Sequence, residues 1–322
     1  MECKLIPKRS LFQLFPIRDN TAWDFYQQQM KSFWTVAELD FGEDRQNATE
    51  LLSEDENRVL MKVLAFFAAS DLIVNERLFL SLFDEAPTSE WRAALTAQSF
   101  FETIHSETYA MLIDTLCPDE NSKRSLFNSL ETEHSISAKR DWYLKNSVGS
   151  YAQRCLVQLC VEGIHFSSSF AIIAWLRKRF PGKFQATCKS NELIMRDEGM
   201  HAKMAAALYR QCEEQLSVER VKELIKEAVI QEQNFVEACF NGKRLWGINS
   251  DSLCTHVQFI ADYWLVYLNM EREYNVQSQF DWLLESSTME GKSNFFEERV
   301  TEYTQGSIIK MDISEAMKDT DF

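Results

Sequence analysis

Apolar side chains fall at the three- and four-residue spacing of a helix face through most of the chain. Behind Ser53-Glu-Asp-Glu56, which has the form of a capping box, the positions Val59, Leu60, Val63, Leu64, Phe66, Phe67, Leu72 and Ile73 predict one long helix to about Phe83. Ala86-Pro87-Thr88-Ser89 is a break with its own cap candidates, and Trp91 to Leu116 reads as a second helix stopped by Cys117-Pro118. These two form an antiparallel hairpin. A weaker helical pair is expected over about 121–146, and a strongly apolar helix from Ser150 to Phe180, ended by Pro181-Gly182. Further helices are expected over Lys183 to Gln215, Val218 to Phe240 and about 252–272, and the periodicity fades from Met289 onward.

Composition narrows the class. Nine Gly and five Pro in 322 residues are about 4%, against roughly 12% in average usage. A sandwich or barrel needs such turn residues every 8 to 12 positions or so. An all-α bundle is the expectation, with a hydrophobic fraction of 45% to fill its core. The formal charge of −15 argues against nucleic acid or an anionic membrane surface as partner. Eight Cys without a C-x-x-C pair, and a start without an apolar signal core, indicate a reduced, cytoplasmic protein. Cys155 to Leu176 is long enough to span a bilayer, but Glu162 and His165 interrupt it, so a buried helix fits better.

Five histidines occur, and four of them (105, 134, 165 and 201) follow a Glu by three residues. Glu and His at that spacing share a helix face and can reach one metal ion, as in bundle di-iron carboxylate sites. Glu131/His134 lies in the polar run ETEHSISAKR, which favours a surface helix. Glu102/His105, Glu162/His165 and Glu198/His201 sit in apolar helices, where an unpaired carboxylate is costly without a cation or a proton.

Asp71 precedes Pro87 by 16 residues and Glu102 follows it by 15, so the hairpin brings them to one level, about 24 Å from the turn. Glu162 and Glu198 flank Pro181 by 19 and 17 residues. Four helices thus carry Asp71, Glu102, Glu162 and Glu198 towards one plane, with His105 and His201 a turn away. That donor set suits two Fe or Mn ions. Tyr109 lies on the face of Glu102 and His105, about 6 Å along the axis from the histidine. Such a Tyr is ordinarily core, but beside an oxygen-reactive metal centre it is a candidate for one-electron oxidation.

The strings FWTVAELDF (33–41), LAFFAASDLIVNERL (64–78), ETIHSETYAMLIDT (102–115), VEGIHFSSSFA (161–171), NELIMRDEGMHAKM (191–204) and MEGKSNFFEERVTEY (289–303) resemble the radical-bearing small subunit of class I ribonucleotide reductase, in its eukaryotic and large-DNA-virus form. The resemblance implies a ferritin-like helical bundle and a homodimer. It also implies one iron on Asp71, Glu102 and His105, another on Glu162, Glu198 and His201, and a radical at Tyr109. Asp197 would link His105 to Trp34, Phe166 and Phe170 would shield the radical, and Tyr303 would relay it. The end Asp319-Thr320-Asp321-Phe322 resembles the peptide that docks on the large subunit. Residues 1–50 are then a segment packing on the bundle, 51–288 the bundle and 289–322 the docking tail.

His165 departs from that pattern, because the family usually has a bulky non-ligand such as Phe there; it is expected to face away from the metals. The rival readings are another di-metal oxidase on the same bundle and a paralogue without metal that supports a partner. Two glycines, Gly163 and Gly199, stand inside expected helices directly after Glu162 and Glu198, which points to close packing or to local give beside the metals.

Overall fold

The computed structural model describes residues 13–280 except Pro118. Tyr303, Phe322 and the segment 289–322 that carries them lie outside the described residues.

The order of elements follows the apolar periodicity. Helix α1 (Asn20–Lys31) is followed by α2 (Gly42–Leu51) and the long α3 (Glu54–Arg77). The Ser53–Glu56 capping box forms as expected: Ser53 Oγ accepts from the Glu56 amide at 3.3 Å and Glu56 Oε2 accepts from the Ser53 amide at 2.9 Å. From Leu78 to Phe83 the helix widens into a π turn. Thr88 then caps α4 (Ser89–Leu116) by accepting from the Trp91 amide, completing the hairpin around Pro87.

The expected pair over 121–146 is three short helices, α5 (Glu120–Phe127), α6 (Ser129–Thr132) and α7 (His134–Asn146). Helix α8 (Tyr151–Cys160) and α9 (Ser167–Arg179) are two parts of one rod joined by a second π turn, Val161–His165. After Pro181-Gly182 comes α10 (Gln185–Gln211), then α11 (Val218–Phe240). A two-residue β-hairpin (β1, Arg244–Leu245; β2, Ile248–Asn249) turns at Gly247, whose φ is +71°, and leads into α12 (Ser250–Tyr267). The apolar pattern held no sign of this hairpin because each strand is only two residues long.

Helices α3, α4, α8–α9 and α10 form the central four, with α1 laid on α4 and α11 and α12 closing the far side. The rod Tyr151–Arg179 is apolar enough to cross a membrane by length and composition, but nearly all of it is buried in this core. Most of the cover comes from later helices: α10 packs on both halves, α11 on α8 and the π turn, and α12 on α9.

Candidate metal centre

The four central helices bring Asp71, Glu102, His105, Glu162, Glu198 and His201 together, each no more than 1% exposed. They make two ligand groups, Asp71–Glu102–His105 and Glu102–Glu162–Glu198–His201, within each of which donor atoms lie within 4.8 Å of one another. Glu102 belongs to both, so it stands between the half-sites. His105 Nδ1 also approaches Glu198 Oε1 at 2.8 Å, tying the halves a second time.

The donor chemistry of this pocket fits a pair of cations. Both oxygens of Asp71, both of Glu102, Oε2 of Glu162, Oε1 of Glu198 and Nε2 of His201 have no hydrogen-bond partner. The short His–carboxylate approaches lie at ion-pair distance without the angles of a hydrogen bond. Such atoms are costly to bury unless something charged meets them. Electrostatics says the same. Burial, then the charge of Glu102, pushes the Asp71 carboxyl well above its usual range. Burial and Glu198 push Glu162 up likewise. Burial opposes ionisation of Glu198 too, but contacts with Glu162, His105 and His201 hold its carboxyl low. Burial would neutralise His201, yet Glu102 and Glu198 raise it to about 9. Protons are therefore retained on Asp71, Glu162 and the imidazoles of His105 and His201, and divalent cations would take the place of those protons.

Support outside the ligand groups is specific. His105 Nε2 lies 3.3 Å from Asp197 Oδ2, and that same oxygen accepts from Trp34 Nε1 at 2.8 Å. Arg196 donates twice to Oδ1 of Asp197, at 2.8 and 3.0 Å, and its charge keeps that carboxyl low against the effect of burial. The order Trp34, Asp197, His105 matches the sequence expectation.

Tyr109 is 1% exposed and its hydroxyl has no partner. Its ring stacks on Phe67 with centroids 4.4 Å apart and planes within 3°. Phe166 and Phe170 pack against Phe67 as well, at 5.4 and 4.9 Å between centroids. The shield expected of Phe166 and Phe170 is thus centred on Phe67. In the sequence Phe67 is one apolar position among several on α3, since nothing local reveals a stack across to α4.

His165 turns away from the ligand groups. In an α-helix it would share the face of Glu162; the wider π turn Val161–His165 rotates it off that face. Its ring lies against Trp142, centroids 4.9 Å apart, and its backbone oxygen accepts from Lys139 Nζ at 2.7 Å. Burial and the Lys139 charge hold its imidazole well below the usual range, hence neutral. Glu131 and His134 are on the surface, as expected. Two further residues bear on the site and were not foreseen: Gln98 and Gln158, one turn before Glu102 and Glu162, both donate to Glu162. Their signal was a doubled Gln-x-x-x-Glu-x-x-His spacing.

Comparison with known proteins agrees with this geometry. Residues 11–281 match the family model of the ribonucleotide reductase small chain. The ribonucleoside-diphosphate reductase small chain of Vaccinia virus (strain Ankara) is 40% identical over 325 residues, covering all of both proteins. A ribonucleoside-diphosphate reductase small chain from Arabidopsis thaliana is 41% identical over 307 residues, which is 95% of the present sequence and 89% of the plant one. A ribonucleotide reductase homodimer from Saccharomyces cerevisiae superposes with a TM-score of 0.78 at 23% identity, over 86% of the present sequence and 88% of the yeast one, which is a likeness of fold. With identity running the whole length and a ferritin-like bundle around paired carboxylates and histidines, the chain belongs to the family of ribonucleotide reductase small chains.

Proposed function

We propose that this small chain generates and stores a radical at Tyr109, and that it passes the oxidising equivalent to a large subunit, where ribonucleoside diphosphates are reduced. The observation that carries the reading is the Tyr109 phenol, buried and unpartnered beside the Asp71 carboxylate and stacked on Phe67. Asp71, Glu102 and His105 are the proposed ligands of one ion, and Glu162, Glu198 and His201 of the other, with Glu102 shared. Two iron ions held there would supply, with dioxygen, the chemistry that removes one electron from the phenol. Manganese accepts the same oxygen and imidazole donors; metal analysis of the purified protein decides between them.

A neutral tyrosyl radical requires the phenol to lose a proton along with the electron. Burial first, then the charge of Asp71, keeps that proton on the oxygen in the resting protein. Once a metal ion holds Asp71 ionised, its carboxylate, the first of the charges that act on the phenol, is the proposed acceptor of that proton. The stack of Phe67, with Phe166 and Phe170 behind it, excludes water and reductants, which lengthens the life of the oxidised ring. Trp34, bonded through Asp197 to His105, is the proposed exit, and Tyr303 the next relay. The tail 289–322, ending in Phe322, is the proposed docking segment on the bundle 51–288, with 1–50 as the segment packed against it.

A homodimer is the proposed assembly, supported by apolar side chains exposed along α3 and its π turn, Leu72, Phe79 and Leu80. Sedimentation of the purified protein tests it, and a monomer would refute it. A cytoplasmic setting is supported by the seven described cysteines, all free thiols. In Tyr109→Phe, two metals per chain should remain while the tyrosyl electron paramagnetic resonance signal disappears. A chain ending at Tyr303 should keep that signal and lose turnover with a large subunit. Persistence of the signal in Tyr109→Phe, or normal turnover without the tail, would overturn the respective assignment.

A further inference from the structure

The four carboxylates of the centre are not held alike. Among the described residues, Asp71 and Glu102 have no hydrogen-bond partner on either oxygen, and the contacts of Glu198 stay within the cluster. Glu162 is different. Its Oε1 accepts from Gln98 Nε2 at 2.8 Å and from Gln158 Nε2, while its Oε2 is unpartnered and turns towards His201, 3.9 Å from Nδ1. Behind Gln158 stands Tyr143, whose hydroxyl donates to Gln158 Oε1 at 2.5 Å. Every member of this run of contacts is at most 4% exposed.

The direction of these bonds follows from the groups themselves. A carboxylate oxygen only accepts, so both glutamines must present their NH2 to Glu162. Gln158 then presents its oxygen to Tyr143, and the phenol must donate. Turning the Gln158 amide over would set two acceptors against each other in a dry interior, so the Tyr143 hydroxyl and Glu162 together fix one orientation.

We propose that Gln158, oriented by Tyr143, acts with Gln98 as a clamp that positions Glu162, occupying Oε1 and leaving Oε2 as the single oxygen for a metal ion. The inference rests on the di-metal reading above and adds positioning residues to it. The clamp is one-sided. Gln98 lies one turn before Glu102, yet it reaches across to Glu162, so Glu102 keeps both oxygens free to serve both half-sites. Glu162 would thus offer one oxygen to a metal ion, while Glu102, a member of both ligand groups, keeps two. Tyr143 is thereby set apart from Tyr109: it donates to a neutral amide, which cannot take its proton, so oxidation to a neutral radical is not supported there.

The test is uptake of Mn(II) by the metal-free protein, followed by metal analysis after dialysis and by electron paramagnetic resonance. The native protein should bind two ions. Gln158→Met keeps the length and apolar bulk of the residue and removes the amide. One of its two binding steps should weaken by about ten- to a hundredfold, the usual cost of losing a group that orients a ligand, while the other is unchanged. At two equivalents of metal, the spectrum of a lone Mn(II) ion should then replace that of the coupled pair. Tyr143→Phe should weaken the same step by a smaller factor. Native binding in Gln158→Met, or an equal loss at both steps, overturns the clamp. Should Gln158→Met fail to fold, judged by its circular dichroism, Tyr143→Phe decides: two native binding steps there overturn the proposal. A native protein that binds no pair of Mn(II) ions would sink the di-metal reading itself, a different result from any of these.

Discussion

Gly163 shows how tightly a single position in this bundle is determined. A Cβ there would lie 2.4 Å from Trp264 Nε1 and 2.6 Å from Cε2, closer than atoms approach without moving. The indole is fully buried and donates to the Gly163 carbonyl at 3.0 Å, so it has nowhere to retreat. Of the two roles the sequence allowed, close packing is the one with a visible cause. Ala would gain about 1 kcal/mol in helix propensity, but overpacking a rigid site costs about 1–3 kcal/mol and breaks a buried hydrogen bond besides. Gly163→Ala should therefore lower the urea midpoint of unfolding; an unchanged midpoint would mean that the Trp264 ring can shift freely.

At the scale of elements, helix α10 carries two of the six proposed ligands, Glu198 and His201, together with Asp197. Its own N-terminal residue cannot cap it: Phe184 sits in the left-handed region at φ +53° and contributes no side-chain bond. Asp44 on α2 does so from a distance, Oδ2 accepting from both the amide and the hydroxyl of Thr187 at 2.7 Å. Asp44→Ala should cost about 1–2 kcal/mol, as cap losses do; calorimetric unfolding of the variant at native Tm would contradict that role. Such a long-range cap could not be read from the sequence, whereas local ones could: the Ser53–Glu56 box and the Pro87 hairpin depend on residues three or a few positions apart. The same distinction holds at the site. Depth along two helices from a common turn brought Asp71 and Glu102 to one level because helix rise is regular. The π turn at Val161–His165 was hidden, since the Glu162/His165 spacing is identical in an α and a π turn, and the departure at His165 from the family pattern was its only trace. Gln98 and Gln158 looked like ordinary helical glutamines until the facing helix supplied their acceptor.

The whole molecule is arranged around a rod made early and covered late. Tyr151–Arg179 is covered by α10, α11 and α12, all of which follow it in sequence. During synthesis this apolar rod leaves the ribosome before most of its cover exists, with α3, its π turn and α7 the earlier elements that pack on it. The order of synthesis thus imposes an interval of exposed apolar surface on the nascent protein, the condition under which polypeptides associate wrongly. A truncated form ending near Pro181 should bind an apolar dye strongly and sediment as aggregate, while one reaching Tyr267 should do neither; a soluble, dye-free short form would show that the N-terminal half shelters the rod unaided. The rod that holds Glu162, a proposed metal ligand, is thus the segment whose protection waits on about ninety further residues, Phe180 to Tyr267.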